Sequence, residues 1–321
     1  MHRHTLRNVH GIEAEFISFG ATLTALRLPM ADGSKVDVVL GFPSVTDYER
    51  SFSLPAPPFL GAVVGLHAGR LRDGIYRDGD RPVRLEKNLA GKHHIHGGSR
   101  NLSNAAWNVE EAAADMLRFS TVVNDDKTQI VVEYALGADN ALRVTMEAVT
   151  DENVLVNLTQ HSYFNLDGHA GDVIRQRMMV NADETLEADA DLLPTGHFLP
   201  VAGGPFDFRQ LQPCPAAIDN SFVLRGGTPA VRLGSARTGW AMEVGTNQPS
   251  IHVFVGGAHC SPLIGKDGVA YHRTSGICFE AQNFPDSPNH PGFRSGILRP
   301  GETYRNEIVF RFFRNDRPGG A

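Results

Sequence analysis

The sequence predicts an all-β fold, built as a large antiparallel β-sandwich, and three observations carry that prediction. Short apolar runs of alternating character recur from end to end of the 321 residues. With 33 glycines and 19 prolines, the chain is rich in turn residues, which suits many short strands better than long helices. No fixed-period repeat, heptad or low-complexity block interrupts the series. Length permits one or two domains; with no linker-like stretch, a single domain over 1–321 is expected, fraying from about 315.

In chain order, Ile12, Ala14 and Phe16 alternate, and a second run at 22–28 follows Gly20. The compact run 36–40 ends at Gly41. Runs at 130–136 and 142–149 flank Gly137-Ala138-Asp139-Asn140, a hairpin signal. Strand-like runs at 251–255, 276–282 and 306–313 complete the series. Only 110–116 and 184–193 tempt a helical reading, and both are short. The connections 51–60, 202–215 and 284–292 carry three prolines each, and long loops on a β scaffold often hold binding residues.

Composition narrows the function classes. A net charge of -6 gives no sign of a nucleic-acid surface. No run approaches the roughly 18 consecutive apolar residues of a membrane span, and the first residues lack an apolar signal-peptide core. Cys214, Cys260 and Cys278 are odd in number, far apart and not in CxxC spacing. They argue against a disulfide framework or a thiolate zinc site and favour a reducing, cytoplasmic location. Sequons at Asn101 and Asn157 would matter only on a secreted chain.

The run 153–161 alternates as a half-buried strand, with Val154, Val156 and Leu158 on one face and Asn157, Thr159 and His161 on the other. His161 is thus expected at a strand end, away from the apolar layer, where a lone histidine is more often structural or merely exposed than catalytic. In His93-His94-Ile95-His96-Gly97-Gly98, the His94-x-His96 spacing invites a metal reading. No carboxylate follows until Glu110, so the usual third ligand has no local candidate, and a hydrogen-bond donor at His96 is favoured.

In Gly276-Ile277-Cys278-Phe279-Glu280-Ala281-Gln282, alternation places Cys278, Glu280 and Gln282 on one face. A carboxylate in so apolar a strand is either a satisfied structural group or a general base. Gly65-Leu66-His67-Ala68-Gly69-Arg70-Leu71 is neither GxGxxG nor a Walker loop, so nucleotide binding is unsupported. Arg70 reads equally as a surface charge or as a fork of donors for a polyol, and Asp219 alone is just as open.

Together and in this order, these segments resemble the aldose 1-epimerase (galactose mutarotase) family over nearly the whole chain. Asp37-Val38-Val39-Leu40-Gly41-Phe42 is similar to its early strand, and Ile95-His96-Gly97-Gly98 to its sugar-binding histidine segment. His161-Ser162-Tyr163-Phe164-Asn165-Leu166 resembles the catalytic-histidine motif, and Glu280-Ala281-Gln282 with Pro285-Asp286 the catalytic-glutamate motif. The stretches Pro194-Thr195-Gly196, Phe206-Asp207-Phe208-Arg209, Ile218-Asp219 and Leu298-Arg299-Pro300-Gly301-Glu302-Thr303-Tyr304 add further matches.

The resemblance implies a β supersandwich and an enzyme without metal or other cofactor, acting on a free monosaccharide. It also implies Glu280 as base, His161 as acid, and His96, Arg70 and Asp219 as sugar-binding groups. The family's usual G-R-x-A-N-R-I stretch departs here at Leu66 and Gly69 while keeping Arg70, and a histidine frequently following the aspartate is Asn220. A silent sugar-binding domain is the main rival, and retention of both His161 and Glu280 favours the enzyme. An enzyme for phosphorylated hexoses would want more cations, and Leu66 in place of arginine leans against it. A histidine-based metal enzyme is a distant further reading.

Overall fold

The computed structural model describes residues 3–256, 260 and 262–314; the tail expected to fray from 315 lies outside them. Three antiparallel sheets of four, nine and six strands hold most of the strands among the described residues. The four-stranded sheet runs Arg3–Arg7, Glu13–Ile17, Thr22–Pro29, Lys35–Asp37 in chain order. The nine-stranded sheet contains the hairpin Thr128–Leu136 and Ala141–Thr150, whose turn falls on the Gly137-Ala138-Asp139-Asn140 signal. Tyr304–Arg314 joins that hairpin to Trp240–Thr246.

The sheets stack because each strand's apolar residues point one way. Phe16 and Leu23, Phe119 and Tyr134, and Val253 and Phe279 come from the three sheets and belong to one buried cluster. Phe16 meets Tyr134 at 4.4 Å between ring centroids, and the buried Tyr134 hydroxyl donates to Ala21 O at 2.8 Å. Phe164 and Phe310 meet at 4.9 Å. At about 1.5–3 kcal/mol for each large apolar side chain taken from water, this layer dominates the stability.

The six-stranded sheet positions the site. Its order is Tyr163–Phe164, Ile277–Gln282, Ser250–Val255, Ile218–Leu224, Ala182–Ala188, Pro194–Pro200. Ile277, Phe279 and Ala281 face the core, as do Ile251, Val253 and Val255. The period of two then turns Cys278, Glu280, Gln282, His252 and Phe254 to the opposite face.

Three local expectations change. The stretches 110–116 and 184–193 are not helical: Asn108–Ala112 pairs with Met116–Val123, and Ala182–Ala188 with Pro194–Pro200. Pairing into the sheets overrides their helical tendency. A helix forms instead at Val45–Ser51, where the Ser44 hydroxyl caps Asp47 N. The run 153–161 is two short strands, Val154–Leu155 against Ile297–Leu298 and Thr159–Gln160 against Val63–Val64. It is also not half-buried, since every residue from 155 to 161 is inside. Its polar face is satisfied by protein rather than water: Asn157 Nδ2 donates to Ala68 O at 3.0 Å, and Thr159 Oγ1 to Ala281 O at 3.1 Å. The sequon at Asn157 is therefore closed to modification in the folded chain.

Candidate active site

The outer face of the six-stranded sheet forms one wall of a cavity of about 740 Å³. His161, Glu280, His96, Arg70 and Asp219 all line it, although they lie far apart in the chain. His161 is fixed by its backbone, donating to Ala62 O at 2.9 Å and accepting from Gly61 N at 3.0 Å. Glu280 enters from Ile277–Gln282, and its Oε1 stands 3.5 Å from His161 Nε2. Both side chains are about 95% or more buried. Glu280 Oε2 has no hydrogen-bond partner among the described residues. The other ring nitrogen of His161, Nδ1, faces Cys278 Sγ at 3.6 Å, and burial holds that thiol well above its ordinary pKa.

His96 approaches from the opposite side, its ring 5.7 Å from that of His161. Its Nδ1 accepts a hydrogen bond from Gly69 N at 3.2 Å, so the neutral ring carries its proton on Nε2. Burial, with His161 and Arg70 adding positive charge nearby, holds His96 well below the usual histidine range. His96 is thus a neutral donor. Gly69, at φ +82°, makes this approach: a Cβ there would meet Pro285 at 3.1 Å.

Arg70 begins the short strand Arg70–Leu71, paired with His94–Ile95. Its guanidinium holds Asp219 with two bonds, of 3.2 and 3.0 Å. Burial pushes the Asp219 carboxyl up, but His252 and Arg70 together outweigh it and keep the group ionised well below the ordinary range. Phe59, from the proline-rich connection 51–60, closes the cavity with its ring 5.9 Å from His161 and 5.2 Å from His96. The expectation that this loop carries binding residues fits that position.

His94, grouped with His96 in the sequence, does not join the site. Its Nδ1 lies 2.8 Å from Glu86 O. The third metal ligand missing from the local sequence is supplied by the fold, for ligand atoms of His96, His161 and Glu280 lie within 4.8 Å of one another. The hydrogen bonding fits a metal poorly, however. A ligating histidine donates its second N–H outward, whereas Nδ1 of His96 receives one from Gly69. Leu66 packs against the core, and Asn220 and Gly69 line the cavity. Arg70 is the one arginine or lysine lining the cavity among the described residues, and it is already paired, which offers little to a phosphate.

Sequence reasoning missed His252. It lies between Asp219 and Ser221, with Nε2 3.0 Å from Asp219 Oδ1 and Nδ1 2.9 Å from Ser221 Oγ. The alternation of Ser250–Val255 puts His252 on the same face as Glu280, its partner in the register. That parity was the available signal.

Comparison with known proteins agrees with this geometry. Residues 2–311 match the family model described as aldose 1-epimerase. The chain is 33% identical to human galactose mutarotase over 319 residues, 94% of this chain and 91% of the relative. It is 30% identical to the aldose 1-epimerase of Escherichia coli K12 over 337 residues, 96% of this chain and 94% of the relative. Among solved structures, an aldose epimerase homologue from C. elegans superposes with a TM-score of 0.89 at 28% identity, covering 98% of this chain and 99% of that one. On this evidence the chain belongs to the aldose 1-epimerase family.

Proposed function

We propose that Glu280 and His161 are the acid–base pair with which this protein interconverts the α and β anomers of a free aldose. The observation that carries the reading is the buried pair at the cavity wall, 3.5 Å apart with one carboxylate oxygen unpartnered. Opening a hemiacetal takes a proton from the C1 hydroxyl and gives one to the ring oxygen, two oxygens sharing one carbon. A carboxylate beside an imidazolium is matched to that spacing. Glu280 accepts the hydroxyl proton, and His161 donates to the ring oxygen as the C1–O bond breaks. The aldehyde rotates about C1–C2, and closure with the two roles reversed gives the other anomer.

His96, Arg70 and Asp219 hold the remaining hydroxyls: His96 donates from Nε2, Arg70 from the N–H groups its ion pair leaves over, and Asp219 accepts. Family membership and the retained acid–base pair favour catalysis over silent binding. The same reading places the chain in the cytoplasm, supported by three buried free cysteines.

The test is mutarotation of freshly dissolved pure anomers, followed by polarimetry with the spontaneous rate subtracted. Glu280→Gln and His161→Gln keep size and polarity but cannot exchange the required proton. Each lowers the catalysed rate by about 10²-fold or more while sugar binding largely survives. Near-wild-type turnover by Glu280→Gln would sink this assignment.

A further inference from the structure

We propose that His252 is a positioning residue of the sugar site that acts through Asp219. It holds that carboxylate in place against Arg70 and thereby sets sugar affinity rather than turnover. The proposal rests on the reading of the cavity as the sugar site.

The argument is one of connected hydrogen bonds. Ser221, His252, Asp219 and Arg70 form a continuous chain: 2.9 Å from Ser221 Oγ to His252 Nδ1, 3.0 Å from His252 Nε2 to Asp219 Oδ1, then the two-bonded ion pair. Ser221 and Asp219 belong to Ile218–Leu224, whereas Arg70 comes from a two-residue strand outside the sheet. Among the described residues, the only bonds between Arg70's side chain and the sheet are those to Asp219, so the guanidinium is placed only as well as that carboxylate is. Asp219 is in turn fixed on its far side by His252.

The imidazole has both nitrogens engaged along this chain, and it lies beside Glu280 in the register while its own bonds go to Ser221 and Asp219. Its side chain is 14% exposed, so it is walled in rather than a surface group. A donor at Nε2 is present in the neutral ring with Nδ1 unprotonated and in the imidazolium alike, so the link to Asp219 persists in both forms. Removing it leaves a mostly buried carboxylate one donor short and frees the Arg70 fork to tilt. The acid–base pair, held by other strands, is left in place.

The experiment compares His252→Ala, His252→Gln and His252→Asn, with aldose affinity measured by calorimetry on a panel including galactose and glucose, alongside KM, kcat and near-ultraviolet dichroism. Glutamine reaches Asp219 with an amide N–H, whereas asparagine is too short. The expected result is affinity about tenfold weaker for Ala and Asn, near wild type for Gln, and kcat within about threefold throughout.

In an Asp219→Asn background, His252→Ala changes affinity by less than about twofold, because the group it acts through is already neutral. Unchanged affinity in Ala and Asn, full additivity with Asp219→Asn, or a loss confined to kcat would each overturn the proposal. So would Gln behaving like Asn, which holds even if the Ala variant fails to fold. A wild-type protein that binds aldoses without accelerating mutarotation would instead overturn the catalytic reading and leave the His252 test intact.

Discussion

Arg70 does two jobs with one guanidinium, and they predict how its loss is felt. Two of its five N–H groups hold Asp219 and the rest are available to a sugar. Arg70→Ala removes donors from the substrate and also strips Asp219 of its two-bonded partner. Binding of every responsive aldose therefore weakens by roughly ten- to a hundredfold, the cost of about 1.5–3 kcal/mol for a charged hydrogen bond. Arg70→Lys does not restore it, because a point charge cannot reproduce the two-bonded fork. Calorimetric titration checks both, and unchanged affinity in Arg70→Ala would remove the residue from the site. At this scale the five residues that line the cavity were expected together only through the family resemblance, since Arg70 and Asp219 read as open on their own residues. His252 was not, because a single imidazole in an alternating strand looks the same whether its face meets solvent or a cavity.

Among the elements, the turn after Glu280 organises more than its length suggests. Asp286 adopts φ 57°, is wholly buried, and donates its N–H to Arg70 O at 3.0 Å. Its Oδ1 accepts from Arg72 N at 3.0 Å and from Asn289 Nδ2 at 2.7 Å, and its Oδ2 meets His290 Nε2 at 3.1 Å. The turn thereby ties the strand bearing Arg70 to the end of the strand bearing Glu280. Asp286→Ala leaves these donors unpaired in the interior. It is expected to cost about 3 kcal/mol in urea unfolding and to weaken sugar binding as Arg70 shifts. Full stability in that variant would show that the donors find water instead. The sequence marks the connection 284–292 by its three prolines, but the turn's partners 214–216 residues earlier in the chain lie beyond any local pattern. Strands such as 130–136 and 251–255 were legible because they alternate. The two-residue strands around His161 and Arg70 were not, being too short to show a period.

For the molecule as a whole, long-range pairing decides what a linear reading cannot. Tyr304–Arg314 inserts between Ala141–Thr150 and Trp240–Thr246, so the two halves of the nine-stranded sheet close only when the last described strand arrives. Folding also leaves His67 and His94 buried and His96 half-buried, all with depressed pKa values. Burial pushes His67 down to about 3, with His94 nearby adding to the effect, and both His67 ring nitrogens lack hydrogen-bond partners among the described residues. His94 and His96 are lowered for the same first reason. Each is free to take a proton once unfolded, at the ordinary value of about 6.5. For a group with a depressed folded pKa, the unfolded chain binds more protons, so stability is intact above that value and is lost as pH falls through it toward the folded one. At about 1.4 kcal/mol per unit, His67 alone couples several kcal/mol to the interval from pH 6.5 to about 3. The urea midpoint is therefore expected to hold steady above pH 7 and to fall steadily below 6. His67→Leu, which cannot bind a proton and leaves no unpaired ring nitrogen, should unfold with a visibly shallower dependence over that range. Identical slopes for wild type and His67→Leu would show that water reaches the imidazole and that its burial does not govern acid stability.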